Sequence, residues 1–233
     1  MGDFVLQCNS LTKKFIIKKA LDNVSFNIAP GKIVGLLGPN GSGKTTIMKL
    51  ANGLISPTSG EVLIDGMHPC IETKRLVSYL PDQNYLNDHM RVRDLMRFFA
   101  DFYVDFDMEC AASMLDKLSI DSSDKLKILS KGTQEKIQLI LVMSRRARLY
   151  LLDEPIGGVD PATRDFILEN IIKRRNGESS VLIYTHLIAD IEKILDEVIF
   201  IKNGSIILHE SASLIREREG TSVDEYFREV FRC

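Results

Sequence analysis

The sequence predicts an α/β fold built on a mostly parallel sheet, and three observations carry that prediction. Strand-like and helix-like segments alternate along most of the 233 residues, the pattern of parallel strands joined by crossover helices. One strand-to-helix junction reads Gly38-Pro39-Asn40-Gly41-Ser42-Gly43-Lys44-Thr45, which fits G-x-x-x-x-G-K-[ST]. Residues 88–126 break the alternation with purely helical texture, as expected of an insert.

The elements follow in order. Residues 1–30 alternate short apolar runs with polar residues, at Phe4–Leu6, Phe15–Ile17 and Val24–Ile28. That period of two reads as antiparallel strands. Pro30-Gly31 is a turn. Ile33–Leu37 is a continuous apolar run suited to a parallel strand buried on both faces. Thr45 to Leu54 reads as a helix whose N-terminus faces the glycine loop. Pro57-Thr58-Ser59-Gly60 turns the chain into a strand at Glu61–Ile64, closed by Asp65-Gly66. Val77–Leu80 is a short strand ended by Pro81. Val92, Leu95, Met96 and Phe99 repeat at helical spacing, as do Ala111, Met114, Leu115 and Leu118. Both helices can be assigned to an insert or to the main core. Leu129 to Thr133 opens another helix, with Ser130 as its N-cap. Then come a strand at Leu149–Leu152, a helix from Pro161 to Arg175, a strand at Val181–Tyr184 and a helix at Ile188–Leu195. Asn203-Gly204 joins strands at Val198–Ile201 and Ser205–Leu208 as a two-residue hairpin turn. Ser222 to Cys233 reads as a short amphipathic helix.

Each residue type in the glycine loop has a physical use. Gly38, Gly41 and Gly43 lack Cβ, so backbone N–H groups can close around phosphate oxygens. Lys44 reaches the β- and γ-phosphates, and the Thr45 hydroxyl can ligate Mg²⁺. Downstream, Leu149–Leu152 ends in Asp153-Glu154-Pro155. Ligands bind at the carboxyl edge of parallel strands, where Asp153 can hold Mg²⁺ and Glu154 can accept a proton from attacking water. Two adjacent carboxylates beside a triphosphate repel unless a cation intervenes. The strand at Val181–Tyr184 leads to His186, a candidate γ-phosphate sensor if its strand neighbours the loop. Gly132, beside Ser130, permits close backbone approach.

Composition excludes several classes. A net charge of −2 gives no global basic field for nucleic acid. The local basic clusters, such as Lys13-Lys14 and Lys173-Arg174-Arg175, read as solvated surface. No apolar stretch approaches the ~20 residues of a membrane span, and Met1–Phe4 does not resemble a signal peptide. Cys8, Cys70, Cys110 and Cys233 form no C-x-x-C pair, which predicts reduced thiols. The four histidines show no zinc spacing. The expected location is cytoplasmic.

These motifs, in this order, make the chain resemble the ATP-binding cassette family, and specifically the nucleotide-binding subunits of ABC transporters. The resemblance runs from Phe4 to about His209. It implies a P-loop NTPase with a RecA-like, mostly parallel sheet and an N-terminal antiparallel β subdomain. It also implies a helical subdomain at 83–134 inserted between core segments 1–82 and 135–233. Phe15 resembles the aromatic that stacks on adenine. Gly38, Pro39, Asn40, Gly41, Ser42, Gly43, Lys44, Thr45 and Thr46 correspond to Walker A. Asp153 and Glu154 correspond to the Walker B aspartate and catalytic glutamate. Ser130 and Gly132 match the signature that binds ATP held by the opposite subunit; Asp160 looks like the D-loop aspartate, and His186 like the switch histidine.

Three departures stand out. The signature carries Lys131-Gly132-Thr133 where the family has Gly-Gly-Gln. Asp82 holds the usual place of the Q-loop glutamine and Gln83 follows it, so either is a candidate for the metal and its water. The D-loop reads Gly157-Gly158-Val159-Asp160. The ending Val223-Asp224-Glu225-Tyr226-Phe227 and Leu-Ser-Lys-Gly resemble bacterial antibiotic-peptide and multidrug exporters. The resemblance implies ATP and Mg²⁺, a second ATPase subunit (identical or not) and an integral membrane permease. The permease would hold the chain at the inner face of the membrane. Two alternatives come from other classes: a soluble cassette acting on nucleic acid or ribosomes, and a nucleotide sensor with weak catalysis.

Overall fold

A computed structural model of the chain describes residues 3–174 and 177–232; nothing is stated of the Arg174 side chain. Met1, Gly2, Arg175, Asn176 and Cys233 lie outside the described residues, and with them the predicted helix end at Arg175 and the Cys233 thiol.

The chain begins with β1 (Leu6–Lys14) and β2 (Lys19–Ile28), an antiparallel pair. Next come β3 (Ile33–Leu37), α1 (Lys44–Ala51) and β4 (Ser59–Ile64). Then α2 (Ile71–Leu76) runs directly into β5 (Val77–Leu80). Three helices follow: α3 (Val92–Phe102), α4 (Met108–Lys117) and α5 (Lys131–Met143). A 3₁₀ turn at Leu126–Ile128 precedes α5. The second half alternates as β6 (Leu149–Asp153), α6 (Pro161–Arg174), β7 (Ser180–Tyr184), α7 (Ile188–Ile191) and β8 (Glu197–Lys202). It closes with β9 (Ser205–Ser211), α8 (Ala212–Glu219) and α9 (Val223–Val230).

Two sheets result. One is antiparallel, in the order β2-β1-β4. The other, in the order β5-β6-β7-β3-β8-β9, is parallel except for the β8–β9 hairpin. Side chains of the parallel sheet alternate between two cores. Ile33, Leu37, Tyr150 and Leu152 pack on the face covered by α3 to α6. Val34, Leu36, Leu149 and Leu151 pack on the opposite face, with α1 and the antiparallel sheet. Burial on both faces explains why these strands read as unbroken apolar runs.

Four readings of the sequence are corrected. Phe15–Ile17 is no strand; it belongs to the loop joining β1 and β2, where Ile16 and Ile17 stand fully exposed. The first strand starts at Leu6 rather than Phe4. The helix after His186 stops at Ile191. Two helices, α2 and α8, were not foreseen.

Candidate nucleotide site

The strand order brings the candidate residues to one edge. β3 lies beside β7, and β7 beside β6. Their carboxyl ends therefore deliver the glycine loop, His186 and the Asp153-Glu154 pair side by side, which is where open parallel sheets bind ligands.

The glycine loop is shaped by close neighbours. A Cβ on Gly38 would sit 2.2 Å from the Ile201 carbonyl oxygen. Gly43 has φ +113°, and a Cβ there would lie 2.6 Å from Leu21 Cδ2. Sterics exclude a side chain at Gly38, and both sterics and backbone conformation exclude one at Gly43. The Ser42 carbonyl accepts from Gly204 N–H at 3.0 Å, so the β8–β9 turn forms the loop's outer wall. Pro39 and Asn40 are exposed, while Thr45 and Thr46 are half-buried at the start of α1. The first turn of α1 carries no acidic residue of its own, so its free N–H groups keep the positive end of the helix dipole.

Lys44 is buried. Its ammonium donates to the carbonyls of Gly38 at 2.7 Å and Pro39 at 2.8 Å. It also lies 4.2 Å from the centre of the Tyr184 ring. Burial lowers its pKa to about 8, against the opposing pull of Asp153 and Glu154.

Asp153 ends β6 almost completely buried, and neither carboxylate oxygen has a hydrogen-bond partner among the described residues. Burial raises its pKa to about 6; nearby Asp82 and Glu154 add to the rise, while Thr45 and Lys44 oppose it. Glu154 has φ +55°, an unfavourable backbone for a side chain of this kind. Its carboxylate accepts from the His186 backbone N–H at 3.2 Å and meets His186 Nδ1 at 2.9 Å. A carboxylate only accepts, so Nδ1 carries the proton. Among the described residues no three His, Cys, Asp or Glu side chains converge to hold a metal alone. A cation here would have to draw on phosphate oxygens as well.

A cavity of about 740 Å³ joins these groups. Asn40, Thr45, Asp82, Asp153, Glu154 and His186 all line it. Gly132 lines it too, yet a Cβ on Gly132 would meet no described atom within 4 Å. Ser130 caps α5 by accepting from Thr133 N–H at 3.2 Å. Asp82 and Gln83 separate here. Asp82 lines both this cavity and an adjoining one of about 640 Å³, which also reaches Thr45 and Asp153, whereas Gln83 lines the adjoining one alone.

Two candidates are tied up elsewhere. Asp160 accepts from Thr163 at the start of α6 and pairs with Lys136 of α5 at 3.1 Å. The Thr163 hydroxyl and N–H, with Lys136, hold its carboxyl well below the usual range. Phe15 is half exposed in its loop and does not line the cavity. Its loop still reaches the phosphate cradle, because Lys18 Nζ lies 3.3 Å from the Gly41 carbonyl.

The sequence reading missed Tyr184 and Gln138. Tyr184 lies over Lys44 and its hydroxyl is 3.4 Å from Asn40 Oδ1, but an aromatic residue ending a strand looks like any core residue. Gln138 had a visible signal: it is the one amide inside the apolar run Ile137–Met143.

Comparison with known proteins agrees with this geometry. A family profile described as "ABC transporter" matches residues 21–157. The ABC transporter ATP-binding protein YtrB of Bacillus subtilis is 32% identical over 207 residues, covering 87% of this chain and 70% of that protein. The lantibiotic transport ATP-binding protein SrtF of Streptococcus pyogenes is 29% identical, covering 88% of this chain and 90% of that protein. A solved structure of an ATP-binding subunit of an ABC transporter is 26% identical and superposes with a TM-score of 0.89 over 98% of this chain and all of that one. The ATP-binding cassette MJ0796, solved as a post-hydrolysis dimer with ADP and Pi, shares the fold at 23% identity and TM-score 0.78, covering 88% and 98%. The nucleic-acid alternative is not favoured by these relatives.

Proposed function

Since the chain belongs to the ABC transporter family of ATP-binding proteins, we propose that this ATP-hydrolysing subunit works by closing, as one of a pair, over two Mg·ATP. The carrying observation is the single strand edge that presents the glycine loop, Asp153-Glu154 and His186 together. The backbone N–H groups of residues 41–46 and the N-terminus of α1 receive the phosphates. Lys44 exchanges its two loop carbonyls for β- and γ-phosphate oxygens. Phe15 stacks on the adenine.

Thr45 and Asp153 fit a cation: two buried, unpartnered carboxylate oxygens next to a hydroxyl form a hard-oxygen donor set. Mg²⁺, which these residues would hold, would neutralise phosphate charge. Asp82, whose charge acts on Asp153 and which lines the same cavity as Glu154 and His186, is the better candidate than Gln83 for the water next to it. Glu154 orients and deprotonates the attacking water. His186, held by Glu154, donates to the γ-phosphate as charge develops.

Ser130 and Gly132 serve the partner's nucleotide. The open space at Gly132 supports this, because among the described residues no other element approaches the missing Cβ within 4 Å. ATP drives closure because the γ-phosphate bridges the two subunits only in the closed pair; Asp160 lies at that junction. The second cavity, lined by Leu54, Tyr79, Tyr85 and Tyr103, receives a cytoplasmic helix of an integral membrane permease. No helix among the described residues is long and apolar enough to cross a membrane, so the permease supplies the location at the inner membrane face. Similarity to exporter-type ATPases favours export.

The test is Glu154→Gln with Mg·ATP. Turnover should fall by roughly 10²–10⁴-fold, the range of a lost general base. Light scattering should show a stable ATP-dependent dimer. Wild-type turnover in this variant would remove Glu154 from the mechanism, and a monomer at saturating ATP would remove the paired closure.

A further inference from the structure

Gln138 occupies a costly position. It lies on α5 among Ile137, Leu139, Ile140 and Leu141, all buried, and is itself only 3% exposed. An amide buried there without partners costs about 1–3 kcal/mol. Half of it is satisfied: Nε2–H donates to the Pro81 carbonyl at 3.1 Å. A carbonyl can only accept, so the nitrogen faces Pro81 and the amide oxygen faces away from it. That oxygen is buried with no hydrogen-bond partner among the described residues.

Gln138 lines the same cavity as Asp82, Asp153 and Glu154. Both Asp153 oxygens are also buried acceptors without donors. The buried Tyr79 hydroxyl, which feels the charges of Asp153 and Asp82, is unpartnered too and so serves none of them. The site thus gathers more acceptors than its donors fill: Lys44 is spent on the loop carbonyls and Ser42, and the Thr45 hydroxyl is the one donor drawn toward Asp153. Magnesium keeps several of its waters when protein-bound, and each water presents two O–H donors.

We propose that Gln138 is a positioning residue of the metal site, resting on the Mg·ATP reading above. Its N–H fixes the backbone that carries Asp82, and its oxygen accepts from a water on the cation beside Asp153. Pro81 belongs to the loop between the two cavities, and α5 begins at the Ser130 cap. The same amide therefore ties the signature-bearing helix to the loop that faces the metal.

The experiment uses the full chain and follows a fluorescent, non-hydrolysable ATP analogue while Mg²⁺ is titrated. Gln138→Leu keeps the volume and removes both polar functions. Its nucleotide affinity without Mg²⁺ should stay within about twofold of wild type. Its Mg²⁺ half-saturation should rise roughly tenfold, the low end of what outer-shell partners of a metal contribute. Gln138→Glu keeps an acceptor but loses the donor. It should hold wild-type Mg²⁺ half-saturation or better, while kcat falls because Pro81 is released. Unchanged Mg²⁺ dependence in Gln138→Leu overturns the proposal, as does an equal weakening in both variants. If Gln138→Leu does not melt cooperatively, Gln138→Glu decides alone: weakened Mg²⁺ binding there overturns the proposal, and retained binding with lower kcat supports it. A wild type whose analogue binding ignores Mg²⁺ sinks the metal reading itself, and the proposal with it.

Discussion

Asp153→Asn should make the ligand-free protein more stable while destroying its Mg²⁺-dependent function. The Asp153 carboxyl is buried, unpartnered, and raised from 3.8 to about 6. A rise of about two pH units, at 1.36 kcal/mol each, is about 3 kcal/mol of stability withheld at pH 7. The sign follows from proton binding. The folded state holds this proton more tightly than the unfolded one, so the penalty is full above pH 6 and fades as pH falls toward 4. Linkage puts it at about 3 kcal/mol at pH 7, roughly half that at pH 5 and only a small fraction of it at pH 4. The asparagine amide still has to be buried, which returns about 1–2 kcal/mol of the gain. Urea unfolding of both proteins without nucleotide, at pH 7, 5 and 4, reads the difference. Asp153→Asn should gain about 1–2 kcal/mol at pH 7 and lose that advantage toward pH 4. An asparagine variant no more stable at pH 7, or one whose gain does not shrink with acid, refutes the reasoning.

Other outcomes follow from the same geometry. Gly38→Ala places a methyl 2.2 Å from the Ile201 carbonyl, so equilibrium dialysis should find nucleotide binding lost. Unfolding should show about 1–3 kcal/mol of overpacking cost. Phe15→Ala should weaken ATP by about 1–3 kcal/mol, the value of an aromatic–base stack, yet leave tripolyphosphate binding unchanged by calorimetry. Arg145 is buried and donates to the Arg75 carbonyl at 2.6 Å and to Asp105 at 3.1 Å, while its guanidinium stacks 3.8 Å above Tyr103. Arg145→Ala should cost about 3–5 kcal/mol in chemical denaturation, because Asp105 and three carbonyls lose their donor.

The parallel core was legible because its strands obey one physical rule: buried on both faces, they must be apolar throughout. Ile33–Leu37, Leu149–Leu152 and Val181–Tyr184 show it. The glycine loop and the acids after β6 were legible because their residue types cannot be exchanged. The β1–β2 loop misled because apolarity stood in for burial: Ile16 and Ile17 project into solvent. Helix α8 was hidden for the opposite reason, since Ala-Ser-Leu-Ile-Arg-Glu-Arg-Glu buries only Ala212 and Ile215. Helix α2, with Thr73 as its one buried residue, shows no apolar stripe at all. Asp82 and Gln83 were inseparable by spacing, as only the path of the loop decides which one faces Asp153. Tyr184 needed the fold, because its place over Lys44 depends on β7 lying beside β3.

The phosphate cradle takes its far wall from residues 201–204, although its signature is finished by residue 46. A ribosome must therefore deliver most of the polypeptide before the chain has anything with which to grip a triphosphate. A nascent protein halted between those points carries the familiar letters and no working grip. Capture of ATP is accordingly a late event in biogenesis, and it reports that β8 has taken its place beside β3.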